Sequence, residues 1–354
     1  MPTIYDVAKL AGVHRSTVSR VLSGKGATSL RAREKVLEMA RQINYHANTV
    51  ARALKSPRKN AIGILQFEDH SEGLSEAYYQ QTLTGIIHEV GRTKRHLLLK
   101  SVRGFVREDD PELDFCHETS LAGLILIAPR TKESDLGFLK KLSIPTLLLF
   151  CRTEDRGFSW VDLDNRKGAR EAVEHLMKLG HRKIGYVGGE VEYSSNARDR
   201  YAGYRQALGK AAIQENPLWV HQGPLSQEFG EKAIQKILAL PREQRPTAFF
   251  CSTDTTAFGV IKAMEGSGSR VPKDVSVVGF DDHERASYFD PPLTTIHQPF
   301  YRIGQQAIEV LEAMIEEKSE KPRHVFIEPK LKVRESTARF RFFSLFSLGV
   351  GKTG

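Results

Sequence analysis

Apolar positions in this chain change their period near residue 60. Before it they recur three and four apart. Ile4, Val7, Ala8 and Ala11 share one helical face, as do Val18, Val21 and Leu22, and Val36, Leu37, Ala40 and Ile43. This spacing predicts three short helices over 3–11, 15–22 and 29–43. Thr3 with Asp6 makes a capping-box-like start, and Ser29 caps the third helix. Gly12-Val13 interrupts the pattern, and glycine suits a tight left-handed turn. Three short helices with such a turn between the first two match a helix-turn-helix, whose second helix enters the major groove of DNA.

After residue 60 short apolar runs alternate with helical stretches. The runs predict strands at 61–66, 96–100, 123–127, 146–150, 183–187, 248–251 and 275–280, with helices at 80–91, 167–180, 198–209, 228–239 and 255–265. Strand-helix alternation predicts parallel sheets with helices on both faces. Two such units in series place a ligand between lobes, at the carboxyl ends of the strands. The expected fold is therefore α/β, a two-lobed doubly wound parallel-sheet core behind an N-terminal all-α helix-turn-helix domain. No apolar run approaches the ~18 residues of a membrane span, and MPTIYDVAKL lacks the apolar stretch of a signal peptide. A cytoplasmic protein with no membrane partner is expected. The three cysteines (Cys116, Cys151, Cys251) are odd in number and far apart, so they read as reduced thiols without zinc spacing.

Charge sharpens the division. The first 60 residues carry 12 Lys and Arg against 3 acids, which is the whole net charge of +9. A basic head on a neutral body points to a polyanion reader joined to a part with a different task. The outward residues of the second helix are Arg15, Ser16, Ser19 and Arg20. Arginine bonds guanine bidentately, and Ser or Thr bonds bases or phosphates.

The stretch TIYDVAKLAGVHRSTVSRVLSGKG, followed by YHANTVARAL, resembles the opening of the LacI/GalR repressors. The resemblance implies DNA contacts from Thr3, Arg15, Ser16, Thr17, Ser19, Arg20 and Asn48. It also implies a hinge helix that pairs with its dimer mate in the minor groove, with Leu54 as the wedge and Ala51 beside it. Two departures stand out. His14 occupies the usual position of a Ser cap, so a less firm start of the recognition helix is expected. Ala47 replaces the usual Pro before Asn48, so the hinge is expected to be less pre-set. KSPRKN at 55–60 is a polar linker.

The resemblance runs on to LKVRESTA at 331–338 and implies a core similar to periplasmic sugar-binding proteins. Three lobe crossings are expected near 156–161, 290–297 and 319–324. The domains expected are a helix-turn-helix at 1–46, hinge and linker at 47–60, a core at 61–335 and a tail at 336–354. The core would divide into an N-lobe of 61–158 plus 296–320 and a C-lobe of 161–292 plus 323–335.

Asp281 follows the strand VSVVGF, where a carboxylate can bind vicinal hydroxyls or simply form a turn. The resemblance favours an effector contact there, and another at Arg200, with Arg198 as its competitor. Thr253-Asp254 stands where the family often has Asn-Asp. Phe150 stands where many sugar-responsive members carry Asp, implying a less polar or differently shaped effector. Gln298 and Phe300 either line the cleft or belong to the lobe crossing. Trp160 and Trp219 read as sugar-stacking rings or as core and rim. An anionic effector remains open, because Arg200 offers a rigid fork of donors.

Catalytic signatures are missing. GYVGGE at 185–190 is neither a dinucleotide fingerprint nor a P-loop, and no G-x-S-x-G, H-E-x-x-H or C-x-x-C occurs. Asp281 and Asp282 are adjacent at a strand end and point apart, unlike glycosidase carboxylates. No cofactor, metal or catalytic residue is expected. The sequence thus points to a homodimeric repressor of a palindromic operator, controlled by a sugar or sugar derivative. The other reading is a cytosolic sugar-binding or sugar-processing protein tethered to DNA. The Phe-rich tail RFRFFSLFSLGVGKTG has no heptads and is expected to dock loosely, if at all.

Overall fold

The computed structural model describes residues 2–23, 26–45, 60–68, 77–103, 114–116, 121–127, 133–142, 144–155, 157–317 and 321–340. The chain separates into two units, residues 1–59 and 60–354. Asn48, Ala51, Leu54 and the tail beyond 340 lie outside the described residues.

The first unit holds α1 (Ile4–Ala11), α2 (Arg15–Ser23) and α3 (Leu30–Gln42). The capping box forms: Asp6 N–H donates to Thr3 Oγ1, and Thr3 N–H donates to Asp6 Oδ2 at 2.7 Å. A side-chain cap of this kind is worth ~1 kcal/mol. Gly12 ends α1 at φ 66, a left-handed conformation that a residue with a Cβ rarely adopts. The helices close over Val7, Ala11, Val18, Val21, Val36 and Ala40, with Ile4, Leu22, Leu37 and Ile43 packed against them. These are the residues that the spacing turned inward.

The second unit begins with β1 (Ala61–Glu68), α4 (Ala77–Val90), β2 (His96–Arg103), β3 (Leu121–Ile127), β4 (Thr146–Leu149) and β5 (Ser159–Leu163). It continues through α5 (Asn165–Lys178), β6 (Ile184–Gly188), α6 (Ser195–Lys210), β7 (Val220–Gln222), α7 (Gln227–Leu238), β8 (Ala248–Cys251), α8 (Asp254–Gly266), β9 (Ser276–Asp281) and β10 (Thr294–His297). It ends with α9 (Phe300–Glu317), β11 (His324–Ile327) and β12 (Lys330–Lys332). Two six-stranded sheets result. The N-lobe order is β11-β5-β4-β3-β1-β2, all parallel, and the C-lobe order is β12-β10-β9-β8-β6-β7, antiparallel only at β10/β12.

Each sheet is buried on both faces, so its strands read as continuous apolar runs such as LAGLILI. In the N-lobe, Ile62, Ile64, Ile125 and Leu147 pack with Ile86 of α4 and Ile303 and Leu311 of α9. Each such side chain contributes roughly 1.5–3 kcal/mol on burial. The helices α4 and α9 touch backbone to backbone. A Cβ on Gly85 would lie 2.1 Å from the Tyr301 carbonyl, and one on Gly304 would lie 2.2 Å from that of Thr82.

The lobe crossings fall later than expected. β5 pairs with β11 in the N-lobe sheet, with Trp160 opposite His324 and Leu163 opposite Ile327. The crossings therefore follow β5, β10 and β11, at 164, 298–299 and 328–329, rather than near 156–161, 290–297 and 319–324. Strand pairing across ~160 residues of sequence decides this, and no local pattern announces it. The boundary placed at 335 also moves. Ser336 bonds Val277 and Thr294, and Phe340 N–H donates to the Leu179 carbonyl, so 336–340 belong to the C-lobe.

Candidate functional site

On the head, Arg15, Ser19 and Arg20 are exposed along α2, with Ser16 and Thr17 half-buried beside them. Arg15 Nη1 donates to the Tyr5 hydroxyl at 2.7 Å, and its guanidinium lies 5.4 Å from that ring's centre. Tyr5 itself is 62% exposed, an aromatic platform beside the Arg15 guanidinium. Tyr5 is not among the contacts expected from sequence; an aromatic on the first helix of a basic head is the signal that points to it.

His14 reverses one expectation. Its Nδ1 accepts the Ser16 backbone N–H at 3.3 Å and lies 2.9 Å from Ser16 Oγ. The imidazole thus does the work of the absent Ser cap and orients the Ser16 hydroxyl. Thr3, in contrast, commits its hydroxyl to the capping box, donating to Asp6 Oδ2 at 2.8 Å.

Between the lobes lies a cavity of about 810 Å³. Its N-lobe wall carries Phe67, Tyr78, Phe150 and Phe300, and its C-lobe wall carries Arg200, Ser252, Thr253, Asp281 and Gln298. The rings of Tyr78, Phe150 and Phe300 lie 5.9–6.2 Å apart, centre to centre. Phe150 and Asp281 both have left-handed backbones, at φ 56 and φ 120. Conformations so unfavourable for non-glycine residues concentrate at functional sites.

Arg200 is 6% exposed and bonded through Nε and Nη1. Its Nε donates to Asn165 Oδ1 at 2.8 Å, and its Nη1 to the Ser252 carbonyl at 2.5 Å and Asp281 Oδ1 at 3.3 Å. Its guanidinium lies 3.9 Å from the Phe280 ring centre. The competitor Arg198 is exposed. Arg200 on α6 and Asp281 at the end of β9 share the C-lobe wall and pair directly, so they do not face each other across the cleft.

Gln298 Nε2 donates to Asp281 Oδ1 at 2.6 Å. Burial pushes the Asp281 carboxyl up, against the opposing pull of Arg200 and Gln298. Asp254 does not line the cavity. It is fully buried at the start of α8 and accepts from the Thr295 hydroxyl at 2.6 Å and His283 N–H at 2.7 Å. Burial, then the neighbouring Asp281 charge, drives its carboxyl well above the usual range. It is a floor beneath the site, not a wall. Thr253 does line the cavity, yet its hydroxyl caps α8 by accepting Thr256 N–H.

Asp282 points elsewhere, to His297 and Arg334, so no acid pair flanks the cavity. Neither tryptophan lines it. Trp160 stacks on His324 at 4.8 Å, and Trp219 donates from Nε1 to the Gln244 carbonyl.

A second cluster, unforeseen from sequence, ties the lobes together. Arg152 follows β4 in the N-lobe and forms an ion pair with Asp199 of α6 in the C-lobe. Its backbone N–H donates to Ser195 Oγ at 2.9 Å, and Asn196 Nδ2 donates to the Phe150 carbonyl at 3.1 Å. Asp162 lies 3.6 Å from Arg152 Nε and is fully buried. Burial pushes its carboxyl up to about 7, with Arg152 opposing. Among the described residues no group of His, Cys, Asp and Glu is arranged to hold a metal, and no helix is long and apolar enough to cross a membrane.

Residues 3–48 match the bacterial regulatory proteins of the lacI family, and residues 173–337 match the periplasmic binding protein-like domain. The HTH-type transcriptional repressor PurR of Haemophilus influenzae (strain PittEE) is 33% identical over 346 residues, covering 95% of this chain and 98% of that protein. The ribose operon repressor of Haemophilus influenzae (strain ATCC 51907 / DSM 11121 / KW20 / Rd) is 32% identical, covering 95% and 98%. Among solved structures, the lac repressor dimer bound to operator and the anti-inducer ONPF superposes with a TM-score of 0.83 at 29% identity, covering 95% of this chain and 99% of that one. The transcriptional regulator CelR–cellobiose complex gives 0.71 at 26% identity, covering 95% and 100%.

Proposed function

The chain belongs to the LacI/GalR family of DNA-binding transcription regulators, and on that premise we propose that it is a repressor that binds a palindromic operator as a homodimer and answers to a small hydroxyl-bearing effector in the cleft between its lobes. Members of the family are regulators and not enzymes, which sets aside the reading of a DNA-tethered sugar-processing protein. The observation that carries the proposal is the meeting of Arg200, Asp281 and Gln298 in one cavity, from three distant segments. Such a convergent set, desolvated and already bonded, binds hydroxyl groups with little reorganisation.

Effector binding is coupled to the lobes through the second crossing. Gln298 and Phe300 flank it and also line the cavity. A ligand touching both stabilises one lobe arrangement by its difference in affinity for the two, and that difference is what reaches the DNA-binding unit. Arg15 and Ser16 read bases, Thr17, Ser19 and Arg20 hold backbone or bases, and Asn48, Ala51 and Leu54 work in the minor groove, with Leu54 as the wedge. Ile87 on α4 and Leu99 on the edge strand β2 are large exposed apolar side chains suited to a second copy.

The test uses the full chain. An operator is selected from random DNA, and effector response is followed by calorimetry and DNA release. Asp281→Asn is expected to weaken effector binding by roughly 2–5 kcal/mol, the cost of breaking a desolvated charged pair, while operator affinity holds. Unchanged effector affinity would remove the cleft from this reading. An unchanged selected sequence in Arg15→Ala with Ser16→Ala would remove α2 as the reader.

A further inference from the structure

The start of α2 holds three side chains whose hydrogen bonds fix one another: His14, Ser16 and Arg20. His14 stands at the N-cap. Its carbonyl accepts from Thr17 N–H at 2.8 Å and from Val18 N–H at 3.3 Å. Its ring turns back over the first turn, with Nδ1 3.3 Å from the Ser16 backbone nitrogen and 2.9 Å from Ser16 Oγ. The backbone group settles the tautomer. An amide N–H only donates, so Nδ1 offers its lone pair and the ring proton sits on Nε2. A ring protonated on Nδ1, neutral or charged, would set two N–H groups against each other.

The same lone pair decides the Ser16 hydroxyl. Beside an acceptor nitrogen at 2.9 Å, Oγ is the donor of that contact and uses its single proton there. Arg20 Nη2 approaches the same oxygen at 3.5 Å, one turn further along α2, and a guanidinium also only donates. Ser16 Oγ is thus left with a lone pair and no proton to offer.

That polarity bears on sequence reading. An unconstrained serine hydroxyl bonds either kind of base edge, because it donates or accepts. An oxygen that only accepts is matched by the exocyclic amines, N6 of adenine and N4 of cytosine. Guanine and thymine present O6, N7 or O4 in the major groove and meet it with lone pair against lone pair.

Resting on the reading of α2 as the helix that reads bases, we propose that His14 is a positioning residue for specificity: it holds Ser16 as an acceptor, so that Ser16 selects an amino base, adenine or cytosine, on the strand it touches in each half-site.

The experiment begins with selection of an operator from random DNA by the full chain. The position whose preference is lost in Ser16→Ala marks the Ser16 contact. Competition binding then compares the four bases at that position in one half-site. Adenine or cytosine is expected to bind at least about threefold more tightly than guanine and thymine, the worth of one neutral hydrogen bond. His14→Ala frees the hydroxyl and should bring the four bases to within about twofold. His14→Ser separates orientation from capping and keeps the test open should His14→Ala unfold the head. It retains an N-cap acceptor, so the helical signal of the head holds, but its shorter, rotatable hydroxyl donates or accepts and the preference relaxes. His14→Asn puts a carbonyl oxygen as far along the side chain as Nδ1, and should restore the preference for amino bases. A smaller margin in the wild-type protein, or a preference for guanine or thymine, overturns the proposal. So does a preference for amino bases that survives His14→Ala or His14→Ser, or one that His14→Asn fails to restore. In those cases Ser16 remains a reader and α2 keeps its role. If Ser16→Ala changes no position, the proposal falls and Arg15→Ala decides the rest: a changed sequence keeps α2 as the reader, and an unchanged one removes that reading too.

Discussion

Arg15 in the head and Arg200 in the core are the same side chain in opposite circumstances. Arg15 stands in solvent on α2 with one tyrosine hydroxyl for company. Arg200 is buried, donates from Nε and Nη1 to Asn165, Ser252 and Asp281, and packs on Phe280. On the proposed function, the difference fits what each would meet. A polyanion surface brings its own negative charge, so its reader keeps donors available and is stable without the partner. A guanidinium buried in the wall of a cleft is stable only with its counter-charge in place, and so serves to aim a carboxylate.

The largest expected effect tests that contrast directly. Arg200→Ala leaves the half-buried Asp281 beside Asp254 without its counter-charge and should cost the core ~3 kcal/mol. Arg15→Ala should change stability by less than about 0.5 kcal/mol. Urea unfolding of the full chain measures both, and equal costs would dissolve the comparison. On DNA the ranking inverts. Arg15→Ala should lose ~1–3 kcal/mol at one base position per half-site, with the remaining salt dependence intact. Competition between operator variants reads this out.

A smaller effect concerns the start of α2. His14→Ala removes an acceptor from the Ser16 N–H and should cost ~1 kcal/mol of head stability, recovered by His14→Ser. Melting of the head, followed by its helical signal, is the measure; no loss would return His14 to a bystander. The smallest effect is in pH. The Asp162 carboxyl titrates at about 7 in the folded core against ~3.9 when unfolded, because burial outweighs Arg152. The folded state then binds the extra proton between those values. Its contribution is fully present below the unfolded value and is lost as pH rises through about 7. Asp162→Asn should flatten this decline in an unfolding series from pH 4 to 8. A slope unchanged by the substitution would place the titration on another group.

Legibility in the sequence tracked locality. The head was readable because its signals are short-range: the Thr3–Asp6 box, the left-handed Gly12 and the inward valines lie within a few residues of one another. Strands buried on both faces, such as Leu121–Ile127, were readable as apolar runs. β5, β10, β11 and β12 were not, since three to five residues carry no period and pair with segments far away. The helix α9 lies outside the expected elements, although Ile303, Ala307, Ile308, Leu311 and Met314 repeat at helical spacing. In the cleft, resemblance brought Arg200, Asp281, Thr253, Phe150, Gln298 and Phe300 to the cavity lining. It misplaced Asp254, whose role depends on a hydroxyl 41 residues away. Tyr78 and the Arg152–Asp199 link were invisible because neither has a local signature.

The crossing at 298–299 has a consequence for time. Its Gln298 is bonded to Asp281, and its far end begins α9 of the other lobe. On the proposed function, a ligand held between Gln298 and Phe300 would leave only when that strap lets the lobes part, a collective motion on the microsecond-to-millisecond scale or slower. Departure would then be gated by the protein rather than by the strength of any one contact. Two effectors of equal affinity can therefore differ in residence, the one that braces the strap lingering longer. On that reading the length of a transcriptional response, as distinct from its threshold, would rest on two residues of linker.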